Sequence, residues 1–82
     1  MVNLLAAKQE ILEWVAGALK VSPEEVDLNK PLPELGLDSL DAVHLLATIE
    51  STIRMELPET VVQRVTSLND IFEMMAQRLA AA

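Results

Sequence analysis

The chain has 82 residues, 51% of them hydrophobic, which suits one small domain with a compact core and is too apolar for a disordered segment. Thirteen acidic against six basic side chains leave a formal charge of −7, opposing nucleic acid and anionic membrane surfaces and favouring basic protein partners. With no cysteine, a disulfide framework, a thiolate metal site and thiol chemistry from the chain's own residues are all excluded.

From Asn3 to about Lys20, Leu4, Ala7, Ile11, Val15, Ala18 and Leu19 fall along one side at helical spacing, with Gln9, Glu10, Glu13 and Lys20 opposite. Lys8 interrupts the apolar stripe, so its stem is expected along the surface with the ammonium reaching water. Trp14 stands at the stripe's edge, where half-buried packing is expected.

A long connection follows from Val21 to Leu37, carrying three of the four prolines. Ser22-Pro23-Glu24-Glu25 has the form of a capping box with proline at N1, predicting one short helical turn. Val26, Leu28, Leu32, Leu35 and Leu37 recur too often for a solvated linker and should anchor the connection against the bundle.

The next helix is expected from Asp38 to about Arg54. Its periodicity points Ala42, Leu46, Ile49 and Ile53 at the core, with Val43 and Leu45 at the margins and Asp41, His44, Thr48, Ser51 and Thr52 opposite. Leu40 and Ala47 fall outside the buried stripe, on the side next to Ser39, with Glu50 near Val43. They form either a docking strip bordered by carboxylates or packing under the preceding loop.

Pro58 can open a brief helix through about Val65. Thr66 and Ser67 offer caps for the last helix, with Ser67 and Asp70 spaced as a capping box. Leu68, Ile71, Phe72, Met75 and Leu79 form its apolar row, and Met74 and Met75 read as packing rather than as metal ligands. Ala80, Ala81 and Ala82 should fray. With no repeat and no strand-like alternation, the fold class is all-α: a four-helix bundle of three main helices and one short one, with a long loop between helices 1 and 2.

Leu35-Gly36-Leu37-Asp38-Ser39-Leu40-Asp41 holds the residue most able to carry a function. Asp38 has the side chain of an N-cap, which puts Ser39 at N1 beside unpaired backbone N–H groups and the positive helix end, where an attached phosphate is stabilised. Gly36 removes a side chain where another backbone or a partner must come close. A catalytic serine needs a base, an orienting group and oxyanion donors. The only histidine, His44, is five residues on, about 140° around the helix, and there is no Gly-x-Ser-x-Gly elbow. Ser39 therefore reads as an acceptor that another enzyme modifies, not as a catalytic residue.

The run Leu-Gly-Leu-Asp-Ser-Leu in a short acidic helical chain resembles the acyl carrier protein family over nearly its full length. The resemblance implies 4′-phosphopantetheine attached at Ser39, with Asp38 and Gly36 shaping the attachment site, and a partner-binding surface at Leu37, Leu40, Asp41, Val43, Ala47 and Glu50. It implies a phosphopantetheinyl transferase, using coenzyme A and Mg²⁺, as one partner, and acyl-loading and acyl-processing enzymes with basic docking patches as others. The chain would itself catalyse nothing and bind no assignable metal.

One departure concerns partners. His44, Ser51 and Thr52 occupy positions that are often acidic in fatty-acid carriers, so the chain looks more like a carrier for polyketides or another specialised acyl pathway. A different class of reading is an unmodified helical module that docks a partner through the same apolar strip. The start at Met1 and the lack of flanking linkers favour a discrete carrier over one module of a larger synthase, with residues 1–82 as a single carrier domain, and a monomer is expected. No stretch reaches the roughly 20 apolar residues of a membrane span and no signal peptide is recognisable, so the expected location is the cytoplasm.

Overall fold

The computed structural model describes residues 3–57 and 67–81, and every regular element among them is helical. The helix expected from Pro58 to Val65, the Thr66 cap and the terminal Ala82 lie outside the described residues. Helix α1 (Leu4–Leu19) starts at Asn3, whose side-chain oxygen accepts from the amides of Leu5 at 2.9 Å and Ala6 at 3.3 Å. Ala7, Ile11 and Val15 are buried, as the periodicity predicts, and Trp14 is half-buried against the core. Ala18, expected on the same side, is exposed, and Ala16 is buried instead. The cause lies at the helix end. Lys20 adopts a left-handed conformation (φ 61°) and Val21 N–H donates to the Ala16 carbonyl at 3.0 Å, so the chain turns back along the Ala16 side.

The connection is pinned, as its apolar content predicts: Val26, Leu32 and Leu37 are buried, and Leu28 and Leu35 pack against the core. Pro23–Glu25 forms a single 3₁₀ turn with proline at its start, but the Ser22 side chain caps nothing. The Glu25 amide that such a cap would satisfy already donates to the Ser22 carbonyl at 2.9 Å. A further short helix, α2 (Leu32–Leu35), was not expected from the sequence. The connection is tied to the start of the last helix by Asn69 N–H donating to the Leu28 carbonyl at 3.0 Å, and by the Asn69 side-chain amide donating to Asn29 at 2.6 Å.

Helix α3 (Ser39–Ile53) and helix α4 (Leu68–Ala81) complete the described fold, with α1 packed against both. In α4 Leu68, Ile71, Phe72 and Met75 are buried in the predicted row, with Met74 and Leu79 packed at its edge. Ser67 caps this helix, its hydroxyl accepting from Asp70 N–H at 3.2 Å. The Lys8 ammonium lies over the Phe72 ring, 5.7 Å from its centre, so the stem follows the surface and the charge rests on an aromatic face.

The buried stripe of α3 is rotated from the expected one. Leu45 is fully buried with Ile49 and Ile53, Ala42 and Leu46 are only half-buried, and Val43 is exposed. The neighbour decides this: Thr52 Oγ1 donates to the Glu10 carboxylate of α1 at 3.1 Å, so α1 covers the side of α3 that carries Leu45 and Thr52. Thr52 is accordingly half-buried rather than on the outward face.

Candidate functional site

The site is assembled where α2 hands over to α3. Gly36 ends α2 with φ 103°, a conformation that a side chain resists, while Gly36 N–H donates to the Pro33 carbonyl at 3.2 Å and Leu37 N–H to the Leu32 carbonyl at 3.4 Å. A Cβ at this position meets Leu19 at 3.7 Å, an ordinary contact. The turn itself, rather than a close approach within the chain, therefore requires glycine. Leu37 then drops into the core, 6% exposed, which anchors the junction. That placement corrects the expectation that Leu37 belongs to the docking surface, because a side chain filling the core is not available to a partner.

Asp38 is the N-cap of α3 and Ser39 its first residue, as the spacing predicts. The cap is reciprocal. The Asp38 carboxylate accepts from Asp41 N–H at 2.8 Å, and Asp38 N–H donates to the Asp41 carboxylate at 3.1 Å. Asp41, expected as a docking carboxylate, is half-buried and turned back onto this junction. Ala42 N–H donates to the Asp38 carbonyl at 3.0 Å, so the helical ladder begins at residue 42 and the Ser39 and Leu40 amides lie ahead of it.

Ser39 is exposed. Its hydroxyl therefore combines free access with the positive end of a 15-residue helix, a setting that favours an attached phosphate ester. Leu40 and Val43 are each 62% exposed and Ala47 is exposed beyond them, so none of these residues packs under the preceding loop. Glu50 behaves differently from expectation. Its carboxylate is half-buried and accepts from Leu57 N–H at 2.7 Å, fastening the chain as it leaves α3. His44 is exposed, and its carbonyl accepts from Thr48 Oγ1 at 2.8 Å. Among the described residues no three histidine or acidic side chains converge as metal ligands.

Residues 9–75 match the family model described as a phosphopantetheine attachment site. The chain belongs to the acyl carrier protein family. Relatives named acyl carrier protein include that of Phytoplasma mali, 33% identical over 72 residues, or 87% of this chain and 86% of the relative. That of Wolinella succinogenes is 34% identical over 68 residues (82% and 90%), and that of Syntrophobacter fumaroxidans 29% identical over 80 residues (96% and 99%). Family membership brings covalent 4′-phosphopantetheine as the cofactor, and the match does not favour the unmodified interaction module. The junction suits that group: an open hydroxyl, helix-end amides and a rigid cap. Members of the family are carriers rather than catalysts. Among the described residues no helix is long and apolar enough to cross a membrane.

Proposed function

We propose that Ser39 is the attachment residue and that residues 1–82 form one carrier domain, loaded by a phosphopantetheinyl transferase and working in the cytoplasm. The observation carrying this reading is an exposed serine hydroxyl at the first position of α3, inside the matched region. When bound, the arm supplies a terminal thiol that holds an acyl group as a thioester. The chain's own residues do the positioning. Gly36 makes the turn, Leu37 anchors it, and the Asp38–Asp41 box fixes the first turn of α3, so that Ser39 is held in the exposed first position of the helix. The helix end lowers the cost of a phosphodiester standing beside two carboxylates.

Among carrier types, a polyketide or other specialised acyl pathway is favoured over principal fatty-acid synthesis, supported by His44 and Ser51 where acidic residues are common in fatty-acid carriers. The test is mass spectrometry after incubation with coenzyme A, Mg²⁺ and a broad-specificity transferase. One phosphopantetheine mass is expected, absent in Ser39→Ala. An unmodified wild-type protein, or a modified Ser39→Ala, would falsify the assignment.

A further inference from the structure

The start of α4 holds the middle of the long connection. The first amides of a helix have no partner within it, and Asn69 N–H, at the second position of α4, finds one in the Leu28 carbonyl at 3.0 Å. The Asn69 side-chain amide donates to Asn29 Oδ1 at 2.6 Å. A local turn presents both acceptors: Asn29 N–H donates to Asp27 Oδ1 at 2.9 Å, and Lys30 N–H to the Asp27 carbonyl at 3.4 Å. Beyond this tie there is little slack. Lys30 alone separates Asn29 from Pro31, whose carbonyl accepts from Glu34 N–H at 2.9 Å and from Leu35 N–H at 3.2 Å. Backbone bonds continue from Gly36 to Pro33 and from Leu37 to Leu32, and the Asp38–Asp41 box follows, so residues 31–38 lead into α3 as one stiff piece. Pro31 and Pro33 restrict it further. Leu32 and Leu37 sink the piece into the core, but apolar burial has no direction. Hydrogen bonds do, and those from Asn69 act at the end of the piece away from Ser39.

Resting on the attachment reading above, we infer that Asn69 is a positioning residue for Ser39. Its two bonds fix the angle at which residues 31–38 approach α3, and with it the loop beside Ser39 that the loading enzyme must fit. Once the tie is released, the piece shares several orientations and only a fraction of the molecules fit. Apparent affinity then falls by that fraction, while the bound complex reacts at its former rate.

The test replaces amide by carboxylate on each side of the tie. Asn69→Asp removes the side-chain donor and sets two acceptors against each other, although an acidic residue in the first turn favours the helix itself. Asn29→Asp keeps an acceptor, so the bond survives. Both variants retain the fold, which circular dichroism verifies. In hydrogen–deuterium exchange, Asn69→Asp is expected to speed the Gly36 and Leu37 amides about fivefold, with Ile11 in α1 and Ile49 in α3 unchanged. Asn29→Asp should exchange as wild-type does. In loading by a broad-specificity phosphopantetheinyl transferase with coenzyme A and Mg²⁺, Asn69→Asp is expected to raise KM about threefold at unchanged kcat, and Asn29→Asp to match wild-type. Wild-type exchange at Gly36 and Leu37 in Asn69→Asp overturns the inference, as does equal acceleration at Ile11 and Ile49, which would make Asn69 a support of the whole fold. An unchanged KM overturns it as well, and so does an Asn29→Asp protein that behaves like Asn69→Asp. A wild-type chain that gains no mass removes the attachment reading, and the positioning role with it. The exchange result needs no transferase, so it separates that failure from failure of the tie.

Discussion

The two faces of α3 hold similar side chains and expose them very differently. Leu45, Ile49 and Ile53 are at most 1% exposed, whereas Leu40 and Val43 keep 62% of their surface in water. Burying a leucine or isoleucine contributes about 1.5–3 kcal/mol, so the inner face supports the fold, while the outer leucine and valine supply little of that energy. Hydrophobicity alone therefore cannot distinguish covered side chains from uncovered ones. The position of α1, marked by the Thr52–Glu10 bond, decides which apolar residues of α3 are covered.

That contrast can be broken most severely at Leu45. Leu45→Ala should lower unfolding free energy by about 3 kcal/mol in urea titration, since it empties a fully enclosed position. A loss below about 1 kcal/mol would mean that the inner face had been assigned wrongly. The flank comes next. Glu50→Ala should cost about 1 kcal/mol by leaving the amide of the buried Leu57 without its acceptor. Glu50→Gln, which keeps an acceptor and removes a negative charge from the last turns of α3, should restore stability to the wild-type level or slightly above. Equal losses in both variants would show that charge, not the amide bond, is what Glu50 provides. The smallest effect belongs to the outer face: Leu40→Ala should change stability by less than about 0.5 kcal/mol in the same titration, because its side chain leaves little surface buried in the fold.

Much of this arrangement is legible in the chain before any coordinates. Apolar spacing locates α1, α3 and α4, and Asp38 before an apolar-periodic run marks the start of α3 with Ser39 at its head. Periodicity fixes an apolar stripe only to within a side chain or so, however, because the neighbouring helix selects the buried edge. That is why Leu45 proves central and Val43 exposed. Helix α2 escapes notice for a different reason: four residues contain no repeat, and Pro31 and Pro33 read as a turn. Its one legible signal is Gly36, whose role as a helix-ending residue can be suspected from the preceding Pro-Leu-Pro-Glu-Leu run. The bond from Glu50 to Leu57 joins residues seven apart across a helix end, and no local pattern announces it. Within the site, the serine and its cap were readable, whereas the division of nearby residues between buried and exposed required the fold.

The amide clasp between Asn29 and Asn69, with the neighbouring backbone bond to Leu28, has a practical consequence for such experiments. Neither side chain ionises and the fastening contains no ion pair, so added electrolyte has no charge pair there to screen. Ionic strength can therefore be varied widely to interrogate recognition while this brace of the long connection stays closed.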